Sequence, residues 1–423
     1  MQPRELLLGS FQAALAAADP LRIVPPELPK PPRGRTVVVG AGKAAASMAL
    51  AVESHWPAAA ALEGLVITRY GHGLATKRIR VVEAGHPVPD EQGEAAAREI
   101  LALARGLATD DLLLALVSGG GSSLLALPVE DVPMADLQTV TRSLLASGAP
   151  IQDMNTVRKH LSAIQGGRLA AATQAAVLAL VISDVTGDDP THIASGPCTP
   201  DPTTFADAIE ILGRYGVDAP SSVASHLERG LRGSIPETPK PGDAAFARVE
   251  SRVVATAHAS LDAAARFVRG EGVTPLVLGD SVTGEAAEVA KVYAALAREV
   301  RIHAHPARPP VALISGGETT VTVRGKGRGG RCSEFLLSLA IELAGLDGTW
   351  ALACDTDGID GSEDNAGAVL TPDALARAAG AHLDAKRMLA DNDGYGFFAA
   401  LGDLVVTGPT RTNVNDYRMI LVA

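Results

Sequence analysis

The sequence predicts an α/β protein, with a Rossmann-like parallel-sheet N-terminal domain and a smaller α/β C-terminal domain carrying a mixed sheet. Three observations lead there. A chain of 423 residues exceeds one ordinary hydrophobic core, so two domains are expected. Apolar residues make up 47% while aromatics are only 3%, so the core is built from Ala, Val, Leu and Ile, as suits helices packed on buried parallel strands. Short apolar runs that end in Gly, Ser or Asp clusters alternate with helical stretches, the pattern of a sheet covered on both faces.

In chain order, Leu6–Ala18 is apolar enough to imitate a signal peptide. Glu5 directly after Arg4, Gln12 inside the run, and the spacing of Leu8, Phe11 and Leu15 favour an amphipathic helix instead. A Pro-rich connector, Pro25–Pro32, leads to a buried strand over Thr36–Val39. Further strands are expected at Leu65–Thr68, Ile79–Glu83, Leu112–Val117 and Ala176–Ser183. The Pro-, Gly-, Ser- and charge-rich stretch Pro220–Asp243 reads as a boundary, giving domains 1–240 and 241–423. In the second, Arg252–Ala257, Thr274–Leu278, Trp350–Cys354, Asp403–Val406 and Met419–Val422 read as strands. Ser281–Glu299 and Glu334–Ala344 read as helices, and Val311–Ser315 with Thr319–Arg324 as a hairpin pair.

The net charge of −11 and the lack of a Lys/Arg block argue against a nucleic-acid partner. No stretch is long and apolar enough to span a bilayer. Cys198, Cys332 and Cys354 are scattered and lack metal-ligand spacing, which favours a reducing cytoplasm over a disulfide frame or structural zinc. The number of copies in the active protein, one or two, is left open.

Four groups of residues point to anion chemistry, expected at the carboxyl ends of strands. Gly40-Ala41-Gly42-Lys43 joins a strand to a helix, where glycines admit an anion to the backbone and Lys43 adds charge. It is neither a Walker A loop nor a dinucleotide fingerprint, since Ala45 stands at the third glycine position. Ser118-Gly119-Gly120-Gly121-Ser122-Ser123 reads as a phosphate or carboxylate cradle, because three consecutive glycines are costly without a use. On the helix after Asn155, Arg158 and Lys159 are adjacent. Neighbours on a helix point apart, so one is expected at the site and the other at the surface. Arg324-Gly325-Lys326-Gly327-Arg328-Gly329-Gly330-Arg331, just after Ser315-Gly316-Gly317-Glu318, reads as a mobile, anion-seeking loop. Asp184, Asp188 and Asp189 close a buried strand with oxygen ligands suited to Mg²⁺. Asp355-Thr356-Asp357-Gly358-Ile359-Asp360 lacks the closing Glu of a calcium loop.

Together with SDVTGDDPTHIASGP at Ser183 and TGPTRTNVND at Thr407, these segments resemble the class II glycerate 2-kinase family, whose C-terminal half is called MOFRL. The resemblance implies ATP-dependent phosphorylation of D-glycerate to 2-phosphoglycerate with a divalent metal such as Mg²⁺, at a site between the two domains. It also implies that Lys43 and Arg331 are essential, with Arg328 the alternative to Arg331. This chain departs from the family pattern at Cys332-Ser333, where Asn-Gln is common, at Arg411, where Gly is usual, and at Thr186, where Pro is usual. The expected roles follow. Lys43, Arg331 and Asp188 serve catalysis, with Asp188 or Asp357 taking the hydroxyl proton. Gly40, Gly42, Ser118, Gly119, Gly120, Gly121, Ser122, Arg328 and Asp357 hold ATP. Arg158, Asn155 and Glu318 hold D-glycerate, and Asp184 and Asp189 hold Mg²⁺. The rival reading is an NAD(P)H-dependent hydroxypyruvate reductase, which would need the missing third glycine and an acid beyond it, for which Glu63 is the available residue.

Overall fold

The structure is a computed structural model that describes all 423 residues. The chain forms two compact units, Pro20–Val254 and a second composed of Ala255–Ala423 together with Met1–Asp19.

Six strands build the first unit: β1 (Thr36–Ala41), β2 (Leu62–Arg69), β3 (Ile79–Ala84), β4 (Leu112–Val117), β5 (Ala176–Ile182) and β6 (Val249–Ala255). They lie in the order β3-β2-β1-β4-β5-β6. The pairs β2–β3, β1–β2, β1–β4 and β4–β5 are parallel. β1 and β4 are buried along their whole length, which is why they read as unbroken apolar runs. Strand order reverses between β1 and β4, and Ala41 pairs with Val117 at their carboxyl ends. Such a switch point opens a crevice in which open α/β sheets bind ligands.

The second unit holds β7 (Thr274–Gly279), β8 (Val311–Gly317), β9 (Thr349–Asp355), β10 (Gly367–Leu370), β11 (Leu404–Val405) and β12 (Asp416–Val422), ordered β11-β10-β9-β12-β8-β7. β7 and β8 are parallel and the other pairs antiparallel, so the sheet is mixed. The N-terminal helix Pro3–Ala17 completes this unit. Leu6, Leu7, Phe11 and Ala14 pack with Leu261, Ala264, Ala265 and Val268, and Phe11 stacks on Tyr417 with centroids 5.9 Å apart.

Three details differ from the sequence expectation. The division falls at Val254/Ala255, and the first helix joins the second unit because its apolar stripe has its partners there. The Pro220–Asp243 stretch is no linker. It contains the helix Ser221–Leu231, whose Val223 and Leu227 are buried with Phe205 and Leu212, and β6 beyond it is an edge strand of the first sheet. The expected hairpin of Val311–Ser315 with Thr319–Arg324 does not form. β8 pairs with β7 and β12 instead, and Thr320 keeps one isolated bridge to Glu285.

Candidate functional site

At the switch point the two glycine turns are laced together. The Lys43 amide donates to the Gly119 carbonyl (2.8 Å) and the Ala44 amide to Ser118 Oγ (3.1 Å). Gly42 sits at φ +141°, where a side chain would also collide with Ser118. A Cβ on Gly121 would lie 2.5 Å from the Cβ of Ala194. The glycines are therefore demanded by close packing of backbone on backbone. Lys43, half-buried, and the ring of His86 flank Gly120. His86 gave no sequence signal, because it belongs to the loop after β3 and only folding brings it there.

Arg158 and Lys159 have separate fates. Lys159 is 1% exposed and pairs with the fully buried Asp201 at 3.2 Å, so it is an internal structural charge and not the surface residue expected. Arg158, half-buried, donates to Asn155 Oδ1 (3.2 Å) and has no carboxylate partner. Burial pushes its pKa down to about 10, which leaves the guanidinium charged at neutral pH. It lines a small cavity with Ser122, Thr141, Ser162 and Gln165 on the polar side and Pro89, Ala126, Leu127 and Leu137 on the apolar side. Ser122, expected among the ATP contacts, thus faces the same space as Arg158. Gln165 fixes that turn by donating to the carbonyls of Ser122 (2.8 Å) and Leu125 (3.1 Å). Asn155 is fully buried and donates from Nδ2 to the His192 carbonyl (2.9 Å).

The carboxyl end of β5 carries Asp184, half-buried, then Asp188 at φ +55° and exposed Asp189. Asp189 accepts from the Thr191 amide (2.9 Å); burial opposes its charge, but that amide, the Thr191 hydroxyl and nearby His192 and Lys159 hold its pKa below the usual value. No group of three or more His, Cys, Asp or Glu side chains comes together as metal ligands. The donor set suits an ion that takes one or two carboxylates and completes its shell with phosphate oxygens and water, as Mg²⁺ does, and not an all-protein cage.

In the second unit Arg331 opens the helix Arg331–Leu343. Each guanidinium nitrogen meets a different carboxylate: Nε Asp416 (2.7 Å), Nη1 Glu318 (2.6 Å) and Nη2 Asp355 (2.8 Å). Burial alone would lower its pKa, but Asp416, Asp355 and Glu318 hold it well above the ordinary value. Glu318 is the solvent-facing partner, with its side chain 54% exposed. Arg328 lies apart, paired with Glu363 and stacked 4.3 Å over the Tyr395 ring, its side chain 61% exposed. The glycine- and cation-rich loop is anchored through its backbone. The Arg324, Lys326 and Arg328 amides donate to the side chains of Asn392, Asp391 and Asp393, and a side chain at Gly325 or Gly327 would run into Asp391. Asp357 is buried and accepts from the Ile359 amide (2.9 Å) through Oδ1.

Two of the departures from the family pattern, Cys332-Ser333 and Arg411, have a readable local setting. The Cys332 and Ser333 amides donate to the buried Asp360 carboxylate (2.9 and 2.8 Å), an anion seated on the helix N-terminus. Ser333 Oγ accepts from the Gly330 amide (3.0 Å), so this serine caps its own helix. Cys332 is wholly buried. Arg411 sits at φ +60°, the left-handed region that favours glycine. Nothing in the structure explains Thr186, which is exposed.

A doubly wound sheet with two glycine turns laced together at its switch point, joined in one chain to a mixed-sheet unit, defines a two-unit α/β protein. Residues 6–228 match a family described as a domain of unknown function, DUF4147, and residues 311–416 match the MOFRL family. A D-glycerate 2-kinase of Thermotoga maritima is 39% identical, covering 98% of this chain and 97% of its own length. The crystal structure of glycerate kinase from Thermotoga maritima superposes with a TM-score of 0.88 at 37% identity, covering 99% of each chain. A protein of Agrobacterium vitis named "Putative hydroxypyruvate reductase" is 52% identical, over 99% of this chain and 94% of its own. The chain belongs to the MOFRL-containing glycerate kinase family.

Proposed function

We propose that this chain transfers the γ-phosphoryl group of ATP to the C2 hydroxyl of D-glycerate. The observation that carries the reading is Arg158, a charged guanidinium that faces no carboxylate, in a small cavity beside the switch-point cradle. A carboxylate reaching Arg158 at the cavity's mouth supplies the missing counter-charge in two-pronged fashion, while the cavity itself, about 10 Å³, has room for little more than one water. Phosphoryl transfer is largely positioning and charge neutralisation. Arg158 holds the acceptor, and Lys43 offsets charge on the phosphate oxygens. Asp184 and Asp189 would hold Mg²⁺, which when bound neutralises phosphate charge. Asp188 is our candidate for receiving the hydroxyl proton. Arg331 fixes the acidic centre of the second unit through Asp355 and Asp416, with Glu318 the partner an anionic ligand can displace.

The kinase names of relatives at 37–39% identity support this reading. The reductase name of the Agrobacterium relative gives the alternative, which the buried Ala45 at the third glycine position disfavours. Purified protein is incubated with D-glycerate, ATP and Mg²⁺, and separately with hydroxypyruvate and NADH. ADP formation that depends on D-glycerate is expected in the first arm and no NADH oxidation in the second. The reverse pattern overturns the proposal. Lys43→Ala is expected to lower turnover by about 10²-fold or more while leaving the fold intact.

A further inference from the structure

Behind the Arg158 cavity lies a turn with three consecutive left-handed residues: Ala194 (φ +51°), Ser195 (φ +58°) and Gly196 (φ +57°). Two of the three are not glycine, and such backbone persists only where its surroundings over-determine it. Here they do. The Gly166 amide donates to the Ser195 carbonyl (3.0 Å) and the Gly167 amide to the Gly196 carbonyl (2.7 Å). Asn155 Nδ2 holds His192 just ahead of the turn, and Gly121 packs against Ala194. The product of this construction is one hydroxyl. Ser195 Oγ, fully buried, lies 2.9 Å from Ser122 Oγ and 3.0 Å from Asn155 Oδ1, the same oxygen that receives Arg158 Nη1.

We propose that Ser195 is a positioning residue for the acceptor's carboxylate, acting through Ser122 and through the Asn155–Arg158 pair. This rests on the kinase reading above. A hydroxyl carries one proton, so Ser195 donates either to Asn155 or to Ser122. When it donates to Asn155, the Ser122 hydroxyl turns inward to donate to Ser195. When it donates to Ser122, the Ser122 proton is released outward, toward the cavity that Arg158 lines. A carboxylate at the mouth of that cavity favours the second arrangement and receives the Ser122 hydroxyl beside the guanidinium. In that arrangement Asn155 Oδ1 accepts from Arg158 alone and sets its direction.

The test uses Ser195→Gly in the full-length protein. Glycine removes the hydroxyl yet accepts φ +58° without strain, and that relief offsets the lost hydrogen bonds and glycine's entropy, so the thermal midpoint should stay within a few degrees of the parent's. The KM for D-glycerate should rise about tenfold while the KM for ATP stays within twofold. Asn155→Asp is the second variant. Its carboxylate would pair with Arg158 and compete with the acceptor, so the KM for D-glycerate should rise further. A Ser195→Gly enzyme with unchanged KM for D-glycerate, or with both KM values raised equally, overturns the positioning role. If the parent protein neither binds nor phosphorylates D-glycerate, the kinase reading fails and takes this inference with it. The two failures are therefore told apart by the parent enzyme.

Discussion

Replacing Arg158 with methionine should weaken function without weakening the fold, because in the free protein its charge is desolvated and unmatched. The side chain keeps one hydrogen bond, to Asn155, and faces no acid. Removing an uncompensated charge from a partly buried site avoids desolvation, and methionine's flexible chain fills the space. The thermal midpoint should hold or rise by a few degrees, corresponding to up to about 1 kcal/mol for a unit of this size. Binding is a different matter. A two-pronged guanidinium–carboxylate contact comprises two charge-assisted hydrogen bonds of about 1.5–3 kcal/mol each. Losing about 3–4 kcal/mol of it corresponds to roughly 10²–10³-fold in kcat/KM for D-glycerate. The assays are a thermal melt and a coupled ADP-release measurement across D-glycerate concentrations. A variant that melts several degrees lower with unchanged kcat/KM would refute the reasoning, since Arg158 would then be a structural residue.

Three further outcomes follow from the same geometry. Lys159→Met should destabilise by about 3–5 kcal/mol, read by chemical denaturation, because Asp201 is left buried and unpaired. Arg411→Gly should relieve left-handed strain but give up the arginine side chain's own contacts and add glycine's entropy, so a melt should show a net change below about 1 kcal/mol. Burial lowers the pKa of His226 and, with help from Lys159, that of His192. The unfolded chain therefore binds more protons than the folded one once the pH drops below about 6.5. Stability should be full above that value and decline toward pH 5, and a His226→Gln variant should show a shallower decline in melts across that range.

Much of the architecture was legible because buried parallel strands announce themselves. The runs Thr36–Val39 and Leu112–Val117 have apolar side chains on both faces, and each ends in a glycine turn that the fold places at the switch point. The strand Arg252–Ala257 was read as such, but its sheet was not, because an edge strand's sequence says nothing about its neighbour. The anchors of the cationic loop, Asp391, Asn392 and Asp393, come some 65 residues later, so its own sequence does not show them. Arg158 and Lys159 look alike in sequence, and only the acid opposite Lys159, absent from Arg158, separates a charge matched inside the fold from one that is not. Ser195 gave no sign beyond its place in a long polar loop, since left-handed backbone at a serine has no compositional mark.

The most direct test of phosphoryl transfer to D-glycerate is where the phosphate arrives. Product formed from D-glycerate, ATP and Mg²⁺ is to be examined by phosphorus–proton correlation NMR. A phosphorus resonance coupled to the single proton on C2 is the expected result. Coupling to the two C3 protons, or ADP release with no phosphorylated acid, would contradict it.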